Sequence, residues 1–273
     1  MQMPVRIGGS RVPGPSLSLL YLSEVDQIAH RAILRPAGVA STRRRIPQEN
    51  SMGSFITLTA SDGHRFQAWT DGPEDAPHGL VVIQEIFGVN NHIRNVCAAF
   101  AAQGYRVVAP ALFDRVEPGT ELGYTAADVA RGRELRAKVS NDGVMLDVNA
   151  AATYLGQRTL GIVGYCWGGT IAWWGATRTD HFKAAVGWYG GGIAATRTEL
   201  PKATVQLHFG EKDSGIPLTD VDAIHQAQPG LEIFIYADAQ HGFGCDERDS
   251  YSAPDAAQAQ ERTLAFLARH LAA

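Results

Sequence analysis

The chain has 273 residues, room for one large α/β domain or two small ones; it is 45% hydrophobic and 19% charged, with a formal net charge of −4. That balance is ordinary for a globular protein and argues against nucleic acid as a partner. Its three cysteines, Cys97, Cys166 and Cys245, are too few for a disulfide framework and form no C-x-x-C pair for zinc or an iron cluster, and no apolar run approaches the roughly 18 to 20 residues that span a bilayer.

The first 51 residues differ in composition from the rest of the chain. They hold seven arginines, no lysine and three acidic residues, a balance of +4 that leaves −8 for the remainder. Such an Arg-rich, acid-poor opening fits a mitochondrial-type presequence, but Gly and Pro break any long amphipathic helix, and Met52 before Gly53-Ser54 is a natural alternative start. We expect residues 1–51 to be an extension, disordered or non-native, and residues 52–273 to form the folded domain. The opening also lacks the ordered regions of a secretory signal. We therefore expect a cytoplasmic protein, a monomer or weak homo-oligomer, with no membrane partner.

From Phe55 onward the hydrophobic pattern alternates between short buried strands and amphipathic helices. Phe55–Leu58 and Phe66–Trp69, either side of Ser61-Asp62-Gly63, predict an opening hairpin. Leu80–Ile83 and Arg106–Ala109 read as strands, with a helix over 91–103 between them and Gly104 closing it. Helices are expected over 125–138 and 144–155, then a strand at Leu160–Val163. Strands at 184–188, 204–209 and 232–236 come next, interleaved with helices over 219–227 and 254–271. This alternation implies a mostly parallel sheet with helices on both faces, and reactive groups beyond the C-terminal ends of its strands.

One of those ends reads Gly161-Ile162-Val163-Gly164-Tyr165-Cys166-Trp167-Gly168-Gly169-Thr170. A side chain projected from a sharp strand-to-helix turn needs small neighbours, and Gly164, Gly168 and Gly169 supply the room. Gly-x-Cys-x-Gly between a strand and a helix is the nucleophile-elbow pattern with sulfur in place of oxygen, and the helix N-terminus favours a negative sulfur. The plain structural alternative is a buried, inert cysteine. A nucleophile needs a base, and the base an orienting group. His241 comes after the strand that ends at Tyr236, and Asp213 after the strand before it. The order Cys166, Asp213, His241 is the nucleophile–acid–histidine order of α/β-hydrolases. His208, inside an apolar strand, reads as a packed residue, and His92, His181 and His225 lack a partner pattern. Trp173-Trp174 reads as core packing.

The stretch from about Leu80 to Leu271 resembles the dienelactone hydrolases (carboxymethylenebutenolidases), through Gln84-Glu85-Ile86-Phe87-Gly88-Val89-Asn90, the elbow, and Ala239-Gln240-His241-Gly242-Phe243. The resemblance implies an α/β-hydrolase fold that opens the enol-lactone ring of dienelactone to maleylacetate without a metal or organic cofactor. It also implies that Glu85 is a carboxylate that contacts the resting thiol and takes its proton when substrate binds. The backbone amides of Ile86 and Trp167 then stand where an oxyanion needs donors, worth about 3 to 4 kcal/mol each. Arg115 matches one of the family's two carboxylate-binding arginines. The second, four residues beyond the catalytic histidine, is Cys245 here, with Arg248 three residues further on, as well placed to be solvated as to reach inward from a differently shaped loop. The expected function is hydrolysis of a small carboxylate-bearing lactone or ester.

Other readings of the same thiol are a glutamine amidotransferase, for which no His-x-Glu occurs after Cys166, and a redox sensor or binding module on a hydrolase scaffold. Gly190-Gly191-Gly192 lacks the spacing of a phosphate loop and reads as a connection.

Overall fold

In a computed structural model, residues 53–272 are described, so the expected extension at 1–51 lies outside the described residues. Eight strands form one sheet: β1 (Ser54–Thr59), β2 (Arg65–Asp71), β3 (His78–Ile83), β4 (Arg106–Pro110), β5 (Thr159–Tyr165), β6 (Phe182–Trp188), β7 (Thr204–Gly210) and β8 (Glu232–Tyr236). Their order is β1-β2-β4-β3-β5-β6-β7-β8. The opening hairpin β1-β2 pairs antiparallel, as does β2 with β4, and every later pairing is parallel.

The helices are α1 (Asn91–Ala102), α2 (Ala126–Lys138), α3 (Asn141–Tyr154), α4 (Trp167–Arg178), α5 (Leu218–Ala227) and α6 (Ala253–Leu271). Their starts are set by local chemistry. Asn90 caps α1 by accepting from the Ile93 amide, Ser140 caps α3 through the Gly143 amide, and Thr125 and Asp128 form a reciprocal capping box on α2. The Ser140 cap begins α3 three residues before the apolar pattern does, which is why the expected start at 144 was late.

Central strands β3 and β5 are buried almost end to end, as parallel strands covered on both faces must be. Trp167 to Thr177 of α4 is wholly buried, and both tryptophans of the 173–174 pair send their indole N–H to Thr196 Oγ1. They pack the core, as expected. The Gly190–Gly192 connection lies against the start of α4, with the Gly192 amide donating to Thr170 Oγ1. Among the described residues no helix is long and apolar enough to cross a membrane.

Candidate active site

Six parallel strands, β3 to β8, end on the same side of the sheet, and the segments just beyond four of them carry Glu85, Cys166, Asp213 and His241. At the end of β5, Cys166 has φ 55° and ψ −116°, a conformation that L-residues rarely occupy and that surrounding structure must enforce. The glycines show how. A Cβ on Gly164 would lie 1.9 Å from the Gly168 carbonyl oxygen, and one on Gly168 would lie 2.4 Å from that of Ile83. The turn thus closes on itself and against the end of β3. Its cysteine amide donates to the Trp188 carbonyl on β6 (3.0 Å), and the Gly169 amide donates to the Cys166 carbonyl (3.0 Å).

The sulfur points at His241. Cys166 Sγ is 3.1 Å from His241 Nε2, and His241 Nδ1 is 2.7 Å from Asp213 Oδ2. Asp213 is buried, and its other oxygen accepts from the Gly215 amide at 2.8 Å. The loops that carry Asp213 and His241 are laced together: the Glu211 and Lys212 amides donate to the Tyr236 and Ala239 carbonyls. Burial disfavours a charged imidazole, but the hydrogen bonds to Asp213 and Cys166, reinforced by the negative charge of both, outweigh it and raise His241 to about 10. Asp213, His241 and Cys166 are therefore brought together as the sequence suggests.

The other expected residues divide. Among the described residues neither the Ile86 nor the Trp167 backbone amide donates a hydrogen bond, and the close approach of Gly168 to Ile83 and Gln84 brings the two segments side by side. Glu85 is buried, 1% exposed. Its contact with the resting thiol, implied by the resemblance, is not formed: Oε1 accepts from Arg248 Nη1 at 3.1 Å and Oε2 from the Tyr124 hydroxyl at 3.5 Å, while the sulfur faces the imidazole. A carboxylate taken out of water needs a countercharge, and among the described residues Arg248 is the ion-pair partner.

Arg115 is committed elsewhere. Its Nε and Nη2 donate to the two carboxylate oxygens of Asp147, both at 2.8 Å, and Nη1 donates to Asp62 Oδ2 at 2.8 Å. Asp147 on α3 is fully buried, so freeing Arg115 for a substrate would strand a buried charge. This guanidinium ties α3 to the β1–β2 turn and is no open clamp, contrary to the expectation.

The cation beside the candidate triad is Arg248. Successive turns, with the Cys245 amide bonding to Gly242, that of Arg248 to Cys245 and that of Tyr251 to Arg248, fold the loop back on itself. A Cβ on Gly242 (φ 79°) would lie 2.5 Å from Arg248 Nη1, so this glycine leaves the path open. The guanidinium carbon lies 5.7 and 5.9 Å from the ring centres of Phe87 and Tyr124. Sequence reasoning did not find Tyr124 or Tyr189. Tyr189 is fully buried after β6, has φ 39°, and packs its ring 5.2 Å from that of His241. A second non-glycine residue with positive φ beside the elbow carries no sequence signature. His208 is a packed residue, held between Tyr236 (2.8 Å) and Gln206 (2.9 Å) and lowered to about 3 by burial.

The profile of the dienelactone hydrolase family matches residues 66–271. The chain belongs to that family. A carboxymethylenebutenolidase of Pseudomonas putida is 34% identical over 228 residues, 78% of this chain and 95% of its own. A Synechocystis protein provisionally given the same name is 37% identical over 203 residues, 67% of this chain and 82% of its own. The crystal structure of a Klebsiella pneumoniae protein, provisionally a dienelactone hydrolase, superposes with a TM-score of 0.67 at 32% identity, covering 79% of this chain and 99% of that one. A Pyrococcus furiosus esterase shares the fold, with a TM-score of 0.61 at 15% identity over 87% of this chain and 98% of its own. This dienelactone hydrolase family member is an α/β-hydrolase that acts on esters or lactones of small molecules.

Proposed function

We propose that the chain hydrolyses a small carboxylate-bearing lactone or ester, dienelactone to maleylacetate being the leading case, through Cys166, His241 and Asp213 and with no group beyond the chain's own. The observation that carries this reading is the continuous path from Cys166 Sγ to His241 Nε2 (3.1 Å) and from His241 Nδ1 to Asp213 Oδ2 (2.7 Å) at a strained elbow. With Nδ1–H donated to Asp213, Nε2 faces the sulfur and can take its proton. Raised to about 10, the imidazole is a base strong enough to accept that proton.

Attack of the sulfur on the carbonyl carbon pushes charge onto oxygen, where the Ile86 and Trp167 amides are the candidate donors. Collapse expels the enol, which takes the ring's proton. The sulfur of the resulting thioester no longer carries the charge that helped to raise His241. The neutral imidazole is then the base that delivers water and frees the acid. Arg248, in an aromatic cleft of Phe87 and Tyr124, is the group that receives the substrate carboxylate, which competes with Glu85 for its fork. Glu85, once released, is the carboxylate that handles the thiol's proton in the reading the resemblance supports.

The test is a hydrolysis panel of dienelactones, neutral lactones and p-nitrophenyl esters, run on the intact chain and on Cys166→Ala. The expected result is turnover of carboxylate-bearing substrates and its loss in the variant; turnover that survives without the sulfur would overturn the reading. Iodoacetamide labelling across pH separates a hydrolase from a thiol sensor, because a sensor keeps its response when Asp213 is replaced.

A further inference from the structure

Behind Glu85 lies a second group of buried ligand-type side chains that the proposed reaction does not use in full. A carboxylate oxygen of Glu85, a ring nitrogen of His92 and the Cys245 sulfur lie within 4.8 Å of one another. The three residues are 1%, 3% and 0% exposed. They come from three places in the chain: the segment after β3, the first turn of α1, and the loop after His241.

The second observation concerns His92. Its Nδ1 is 3.3 Å from Asp246 Oδ1, and its Nε2 is buried with no hydrogen-bond partner. A carboxylate on one ring nitrogen fixes the N–H there and leaves a lone pair on the other, which is how histidines that hold metal ions are oriented. A buried ring nitrogen with no partner forfeits a hydrogen bond, and a cation would satisfy it. Asn91, next to His92, donates to Glu247 at 2.8 Å, so α1 and the 245–248 loop are pinned together on either side of the cluster.

We propose that Glu85, His92 and Cys245 form a binding site for a thiophilic divalent cation, Zn²⁺ by its ligand chemistry, and that its occupation opposes turnover. Carboxylate, imidazole and thiolate are zinc's own donor set, and tetrahedral bonds of about 2.0–2.3 Å set ligand atoms roughly 3.3–3.8 Å apart, a modest contraction for three atoms that lie within 4.8 Å of one another. Water completes a tetrahedral shell. In the step, the Cys245 S–H releases its proton to solvent, a Zn–S bond forms, and the Glu85 oxygen exchanges the Arg248 guanidinium for the ion. The exchange is neutral inside the site: one carboxylate and one thiolate against two positive charges. Because the ion takes the sulfur as thiolate, its binding releases a proton and so competes with protons for the site. The site itself does not depend on the hydrolase reading; only the loss of turnover does, since the ion would hold Glu85 and leave Arg248 unpaired.

The test is titration of the full chain with Co²⁺ as a spectroscopic substitute, with subsequent displacement by Zn²⁺. The expected result is one ion per chain and a sulfur-to-cobalt charge-transfer band in the near ultraviolet that persists in Cys166→Ala, disappears in Cys245→Ser, and requires roughly tenfold or more Co²⁺ in His92→Ala. A band lost in Cys166→Ala and kept in Cys245→Ser would place the ion on the Cys166–His241 pair and overturn the proposal, as would no band in the unaltered chain. Two independent variants guard against a substitution that only disturbs folding, and neither readout uses turnover, so failure of the hydrolase reading would leave this result intact.

Discussion

The Cys166 turn and the loop from His241 to Ser252 deliver groups to the same place by different means. The turn is held by backbone: three glycines pressed against carbonyl oxygens, a strained φ, and one helix that is buried from its first turn. The loop is held by side chains and short turns, with Ser250 capping the His241 carbonyl at 2.7 Å and Arg248 crossing over Gly242 to reach Glu85. A site built on close-packed backbone tolerates no added atom and so leaves a mark in the sequence. A site built on long side chains can exchange one residue for another some positions away. One group is a sulfur fixed by backbone packing, the other a guanidinium that reaches its partner by side-chain length.

The largest effect is expected at the sulfur. Cys166→Ala removes the sulfur that faces His241 without adding bulk, so turnover should fall on the order of 10⁴-fold or more while the fold is retained. Asp213→Asn should cost nearly as much, roughly 10³-fold, and should also lower the His241 titration seen by NMR from about 10 toward its usual value of 6.5. Because the folded value lies above the unfolded one, the stabilisation from a charged His241 is complete below about pH 6.5 and fades as the pH rises toward 10. The melting temperature should therefore lose more between those limits in the unaltered chain than in Asp213→Asn.

Next in size are two structural variants. Gly168→Ala places a methyl group 2.4 Å from the Ile83 carbonyl oxygen and should cost about 3 kcal/mol in denaturant unfolding, together with activity. Arg115→Ala leaves Asp147 buried without its countercharge and should cost about 3 kcal/mol, yet leave the preference for carboxylate-bearing over neutral esters unchanged. The smallest effect is the most discriminating. Arg248→Ala should reduce kcat/KM for carboxylate-bearing esters by roughly 10- to 100-fold and for neutral ones by far less. Equal losses on both would return the carboxylate to some other group.

Much of the fold was legible because strand and helix periods differ and the turns carry Gly, Asn, Ser and Thr caps. The expected strand over 232–236 matches β8 end to end, and the others differ at their ends by a few residues. The elbow, Asp213 and His241 were legible because each lies just past a strand end. What the sequence hid was partner choice. Nothing local to Arg115 distinguishes a guanidinium locked on Asp147, 32 residues away, from one open to substrate, and nothing local to Arg248 announces Glu85, 163 residues before it. His92, without any motif around it, gains its meaning only from a loop 154 residues later. Such pairings are products of tertiary burial, which selects among many charges of similar sequence context.

The strand order β3-β5-β6-β7-β8 has a further consequence for how the protein comes into being. His241 lies 75 residues beyond Cys166, on a segment that can dock only after β8 has added to the sheet. At synthesis rates of about 5–20 residues per second, the cysteine leaves the ribosome several seconds before the histidine that faces it. During that interval it is an unpaired thiol on a growing chain. The sulfur and the ring it faces meet only when the last parallel strand closes the sheet, so the Cys166–His241–Asp213 arrangement arrives with completion of the fold.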